Sequence, residues 1–596
     1  MIDCDVVIID SGLKQNNSVI SGICIEKSGE RFRFSSDYED EIGHGTIIYS
    51  LINKHVEANK IYIVKLSNHS DDFDDSFLVA ALEYILQNVR CKVINVSLGV
   101  KVSANIQKFH HICQEITAKG SVIVSAFDNE GCYSYPAAFD CVIGVDSKMD
   151  FKLASEFDFV ENSPVNVLAK GSLQRVTMPK GKIVLVDGTS IACAHITSIL
   201  ANALASHFDL QSALAYLKSN ARQIYSSSIS EKDNSNQLFE ISRAVVFPFA
   251  KEAHAFVRFS DMLPFQIKGY YDIRSSGKVG RKLATYCKEI KSEECIMDIE
   301  KINWSEINTI ILGHLDELNK IVGRDYRREL VKRAISTKVN VYSFDPLEPY
   351  EDLLRDSPIA YFYPRVRRYN VPQNSFGKLY KIDKPVVGIF GTSSQQGKFS
   401  LQLTLKRELE LCGYDVGTIG TEPHSLLFNF DAVFPMGYNS TVELNDHEIV
   451  LYLNNEIHKL CQMGKEIILT STQAQIVPYY CNNLLEFPVM QFPFTLGTKP
   501  DAIIMCVNYH DEIPYIRNSM YALMGLTDAT IIAIVIYPIA YFNMENGAYN
   551  ECKRGITDNE FQEKADILQK EFLIPVYMLG EQQHMSSLCQ TIVDYF

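Results

Sequence analysis

The sequence predicts an α/β protein made of three consecutive units, at residues 1–247, 256–380 and 381–596, each built on a mainly parallel sheet. Three observations predict it. Short β-branched runs alternate with amphipathic helical stretches along the whole chain, which is the pattern of strands joined by crossover helices. Two Gly-Thr-Ser tripeptides, at 188–190 and 391–393, each precede a helical run. A polar stretch at 226–237 and a Pro-punctuated tract at 361–377 interrupt the alternation where boundaries are expected.

In the first unit the strand runs are DVVIID, IYIVKL, CKVINVSL, SVIVSAF and CVIGV, and the helical patterns are SFLVAALEYILQNV and NIQKFHHICQEITAKG. The second unit offers FQIKGYYDI, INTIILGHL and VNVYSFDPL as strands and YRRELVKRAIST as a helix. It ends in YFYPRVRRYNVPQNSFG, which reads as a linker or an extended surface segment, because each proline biases the residue before it away from helix. The third unit opens with PVVGIF, a glycine-rich loop, the helix FSLQLTLKRELELCG and the strand VGTIG.

Composition narrows the functions. A net charge of -15 and a pI near 5.5 argue against a general binder of nucleic acid or anionic membranes, since phosphate neutralisation needs clustered Lys and Arg. The apolar run ATIIAIVIY, closed by Pro538, is too short to span a bilayer. Fifteen cysteines with no CxxC pair fit neither a disulfide framework nor a zinc site, and point to free thiols in a reducing cytoplasm. The N-terminal MIDCDVVIIDSG reads as a first core strand, not as a secretion signal.

Serine peptidase chemistry needs an acid, a histidine, an oxyanion donor and a nucleophile to converge. Asp10 ends the strand DVVIID before Ser11-Gly12; His44 lies in EIGHGT at the start of a helix; Asn129 follows the strand SVIVSAF; Ser190 follows VDGT and opens a helix. Each fragment alone is an ordinary turn or cap. Together, DSG, GHGT, INVSLG, NEG with SYPA, and GTSIACAH in this order resemble the subtilisin-like serine peptidases over roughly residues 1–245. The resemblance implies Ser190 as nucleophile, His44 as general base and then acid, Asp10 as the group that orients the imidazole, and Asn129 as oxyanion donor. It also implies that Ser97, Leu98 and Gly99 form the edge that pairs with a substrate peptide. Where the family has Ala-Pro-His after its serine motif, this chain has Cys193-Ala194-His195, which leaves a better helix former in place of proline, and His195 reads as a packed core histidine. Nine residues precede Asp10, which implies a cytoplasmic peptidase that folds without a pro-segment and resembles maturation proteases for ribosomally made peptides. Proteolysis of this kind requires no cofactor. The partners expected are a peptide or protein substrate, with no nucleic acid and no membrane, and with homo-oligomer formation left open.

The second tripeptide stands in GIFGTSSQQGKFS, between strand and helix, the context in which a P-loop cradles phosphate. Gly391, Gly397, Lys398 and Ser400 are its candidate nucleotide-binding residues, with ATP or GTP and magnesium as the implied ligand. Five residues separate Gly391 from Gly397, one more than in the common motif; this resembles the dethiobiotin-synthetase branch, and residues 260–596 resemble a bacterial family joining a Rossmann-like half to a P-loop half. Rossmann-like and P-loop α/β folds are therefore expected for the second and third units. The segment STQAQ after EIILT carries no carboxylate for a metal, which leaves Glu422, Asp431 and Glu443 as unplaced substitutes. The rival to a peptidase is a P-loop nucleotide-binding or transferase protein whose N-terminal half only docks.

Overall fold

In the computed structural model the chain is described at all positions except 15–20, 30, 58–59, 68–73, 178–182, 204–208, 227–236, 288–289, 480–481, 485–486 and 544–550. Most of the polar stretch at 226–237 thus lies outside the described residues. Contacts divide the chain into two units, Met1–Ser230 with Pro372–Asp383, and Glu231–Val371 with Lys384–Phe596.

The first unit is organised by a ten-stranded sheet with Val6–Asp10 near its middle, paired in parallel with Ile61–Ser67 on one side and Val93–Val96 on the other. Val122–Ala126 and Ile143–Lys148 continue the parallel run. Because side chains alternate across a strand, Val6 and Ile8 enter one core while Val7 and Ile9 enter the other. The first core is closed by the helices His44–Ile52 and Thr189–Ala203, the second by Asp75–Asn88 and Ile106–Ala118. Both faces are covered, which explains why these strands read as continuous apolar runs. Each fully buried Val or Ile adds about 1.5–3 kcal/mol relative to exposure. The sequence did not announce two antiparallel pairings, Ser21–Ser28 with Arg31–Ser35 at one edge of the sheet and Phe157–Val160 with Val165–Lys170 toward the other.

The second unit contains a six-stranded sheet and a seven-stranded sheet, parallel throughout their described pairings. In the six-stranded sheet, Arg243–Phe247 lies between Gln266–Asp272 and Thr309–Leu312. The sequence boundary at 247 therefore assigns to the first unit a strand that belongs to the second. Its five residues, set between a polar stretch and Pro248, carry too little periodicity to reveal their partners. In the seven-stranded sheet, Val386–Gly391 pairs with Ile467–Ser471 and Ala502–Val507.

The Pro-punctuated tract is not the surface linker that its composition suggests. Tyr363, Val366 and Val371 are buried, and residues 372–383 belong to the first unit. There the buried Lys378 ammonium pairs with Asp146 at 2.8 Å, Tyr380 stacks on Tyr133, and the Leu379 carbonyl accepts from the Tyr133 N–H at 3.1 Å. Proline breaks regular structure without preventing burial, so punctuation alone misleads here.

Candidate active site

The chain pairs Ile61–Ser67 on one side of Val6–Asp10 and then crosses to Val93–Val96 on the other, so the strand order reverses at Val6–Asp10. Crevices for ligands form at such a reversal, beyond the carboxyl ends of the strands. Asp10, Ser97 and Asn129 all stand at or just after those ends.

Asp10 is buried, and its Oδ1 accepts from the Ser11 N–H at 2.7 Å and from His44 Nδ1 at 2.8 Å. That contact assigns the proton to Nδ1 and leaves Nε2 as the ring's basic nitrogen. Partial burial pulls the His44 pKa down, but the hydrogen bond and charge of Asp10 outweigh it and hold the value above that of an ordinary histidine. The helix bearing His44 can approach the strand end because residue 45 is glycine; a Cβ there would lie 2.2 Å from the Gly12 carbonyl oxygen.

The loop before His44 is fastened by Asp40, which sequence reasoning missed. Its buried carboxylate accepts from the Ser11 hydroxyl, the Gly43 N–H at 2.6 Å, and both the N–H and hydroxyl of Thr46. Burial opposes ionisation, yet these donors hold the carboxyl below its usual pKa. An aspartate four residues before His44 was the available signal.

Ser190 lies in the first turn of Thr189–Ala203, a helix packed against His44–Ile52. Its hydroxyl donates to the Ser97 carbonyl at 3.0 Å, and among the described residues no hydrogen bond joins it to His44. Asn129 adjoins the same turn: its Oδ1 accepts from the Thr189 N–H at 2.9 Å and hydroxyl at 3.1 Å. Since an N–H can only donate, the oxygen of the amide faces Thr189 and its NH2 remains to donate elsewhere. A cleft of 390 Å³ opens beside Asn129 and Gly188, with Ser147, Met149 and Gly171 on its walls.

Ser97, Leu98 and Gly99 follow the strand Val93–Val96, and the next residue, Val100, exchanges backbone hydrogen bonds of 3.0 and 2.8 Å with Tyr135. Behind them is a second missed residue, Asn95. Its buried amide donates to the Ser97 hydroxyl at 2.7 Å and accepts from Thr197 at 2.8 Å and Cys193 at 3.4 Å, tying the candidate substrate edge to the helix of Ser190. A polar residue inside an apolar strand was its signal. His195 is buried in that helix with Nε2 unpartnered, and burial drives its pKa down to about 4, in keeping with a neutral core histidine.

Residues 4–241 match the family model described as the subtilase family. The N-terminal region is a subtilase domain. Its sequence is similar to subtilisin NAT of Bacillus subtilis subsp. natto, 26% identical over 219 residues, covering 34% of this chain and 55% of that protein. The chain therefore spans about half the length of that curated relative. Among solved structures, one of a DUF1611 family protein from Anabaena variabilis is similar over 59% of this chain and 99% of that chain, at 11% identity and a TM-score of 0.44. The prenylagaramide maturation protease PagA is similar over 34% and 75%, at 18% identity and a TM-score of 0.25.

The loop candidates lie in the second unit. Gly391 ends a strand, Gly397 caps the helix Lys398–Leu411 in a left-handed conformation, and Lys398 donates to the Ser393 carbonyl at 2.6 Å. Ser400 and Glu422 line the same cavity as Lys398. Asp431 instead accepts from Thr418, and Glu443 pairs with Arg367. Of the three unplaced carboxylates, Glu422 alone lies at this loop.

Proposed function

We propose that this protein is a serine endopeptidase that cleaves peptide precursors, with Ser190 as nucleophile, His44 as general base and Asp10 as its orienting acid. The observation that carries this reading is the 2.8 Å Asp10–His44 contact, made at the sheet edge where the helix of Ser190 begins and Asn129 stands beside it. His44 Nε2 takes the Ser190 proton as Oγ attacks the scissile carbonyl, then returns it to the leaving amine. The hydroxyl rotates from the Ser97 carbonyl to the imidazole when substrate arrives, consistent with catalytic hydrogen bonds that tighten only in the complex. The Asn129 NH2 donates to the oxyanion, and the helix N-terminus adds its partial positive charge. The Ser97–Gly99 segment pairs with the substrate main chain, so recognition begins with extended peptide.

A fluorophosphonate probe reads this directly. Stoichiometric labelling of Ser190 is expected in the folded full-length chain, lost in Ser190→Ala, together with cleavage of a peptide library that the variant leaves intact. A folded chain that neither reacts with the probe nor cleaves any library peptide overturns the reading in favour of a docking role for the subtilase domain.

A further inference from the structure

The second unit contains an open cavity of 220 Å³ that peptide cleavage does not use. One wall is the loop 394–397 with the first turn of the 14-residue helix Lys398–Leu411; the others include Lys251, His254, Glu422 and His424. Three features define what would fill it.

At one end is a buried cation. Lys398 is 5% exposed and, among the described residues, forms no ion pair with a carboxylate; its one hydrogen bond goes to the Ser393 carbonyl. Burial lowers its pKa to about 8, so its charge is only partly compensated. An ammonium has three donors, and two remain beside the N–H groups of a helix start, which is the chemistry that receives a phosphate.

The second feature is an unsatisfied neutral ring. His424 is 2% exposed and, among the described residues, neither ring nitrogen has a hydrogen-bond partner. Phe399, Phe344, Phe256 and Phe428 surround it with ring centroids 4.7 to 6.0 Å away, and burial drives its pKa down to about 3. A neutral imidazole offers one donor and one acceptor, a match for a hydroxyl rather than a second anion. Burying two polar nitrogens without partners is unfavourable, and a ligand hydroxyl recovers part of that cost. Beside it, Glu422 has its pKa raised by burial and by Glu252, against an opposing hydrogen bond from Gln473, which favours a carboxyl able to donate.

The third feature is size. Sites for drug-sized ligands run from about 300 to 1,000 Å³, and this cavity falls below that range, which suits a small ligand.

We infer that this cavity binds a phosphate monoester of a small hydroxylated molecule, with its phosphate on Lys398 and the helix N-terminus and a hydroxyl on His424 and Glu422. The site is independent of the peptidase reading, because all of its residues lie in the second unit.

The test is calorimetric titration of the full chain, in a Ser190→Ala background that prevents self-cleavage, with glycerol 3-phosphate, inorganic phosphate, glycerol and ATP with magnesium. Glycerol 3-phosphate is expected to bind at least tenfold more tightly than any of the other three. His424→Phe should weaken glycerol 3-phosphate about tenfold and leave inorganic phosphate unchanged, whereas Lys398→Met should abolish both. If His424→Phe does not fold, His424→Gln, which keeps a donor and an acceptor, is expected to retain tighter binding of glycerol 3-phosphate than of phosphate. Tighter binding of ATP than of glycerol 3-phosphate, equal loss of both phosphates in His424→Phe, no preference for glycerol 3-phosphate in His424→Gln, or no binding of any phosphate at millimolar concentration would each overturn the inference.

Discussion

Gly188-Thr189-Ser190 and Gly391-Thr392-Ser393 share three letters and a helix downstream, yet they place their serines differently. At the first, the helix begins at Thr189, so Ser190 is inside its first turn and its hydroxyl faces the Ser97 carbonyl at the sheet edge. At the second, the helix begins only at Lys398, and Ser393 is held in the loop between the Ser394 carbonyl and the Asn508 amide. Four residues separate Ser393 from its helix start, whereas Ser190 lies inside its own helix. A tripeptide thus acquires chemistry from its distance to the helix start and from what the sheet brings beside it. Asn129 bonds the turn of the first tripeptide through Thr189, and Lys398 bonds the Ser393 carbonyl of the second.

The comparison breaks most sharply at the serines. Ser190→Ala is expected to lower kcat by about 10⁶, the scale known for removal of the subtilisin nucleophile, while glycerol 3-phosphate binding to the second unit stays constant. Peptide cleavage and calorimetry on the same preparation check both halves. Asp10→Asn should lower kcat by about 10⁴, as loss of the orienting acid does in other triads. The same change should move the acid limb of kcat/KM. In the native protein that limb is expected above an ordinary histidine pKa of about 6.5, because Asp10 favours the protonated ring; in Asp10→Asn it should shift to lower pH, as pH–rate profiles would show. The linked stability has a definite sign: with the folded pKa of His44 raised, its contribution is full below about pH 6.5 and is lost as pH rises through the folded value.

Asn129→Ala should reduce kcat by about 10²–10³ with little change in KM, the range for the corresponding donor in subtilisin. A rise in KM at constant kcat would show that the amide binds substrate and not the oxyanion. The smallest effect is expected at the second tripeptide, where Ser393→Ala should leave peptide cleavage within about twofold of the parent, as steady-state assays would measure.

Between these regions, legibility in the sequence differed for physical reasons. The triad candidates could be read because each sits where a strand ends or a helix starts, positions marked by glycine and by the end of an apolar run. Asp40 and Asn95 could not be read in the same way: their importance lies in whom they bond, and Thr46 with Gly43, or Thr197 with Cys193, becomes partner only after folding. The tract 361–377 reads as a linker or extended surface segment, yet Tyr363, Val366 and Val371 are buried, because proline interrupts regular structure without preventing burial.

The sequence by itself determined the α/β class, many of the strands and helices of the sheets, and the residue types available at both Gly-Thr-Ser sites, since these follow from local periodicity and chain geometry. Tertiary structure alone decided that Arg243–Phe247 joins the second unit, that 372–383 returns to the first, and that Glu422 and His424 meet Lys398 around one cavity. Those outcomes depend on contacts between residues far apart in sequence, and no local pattern records which distant side chain will compensate a buried charge.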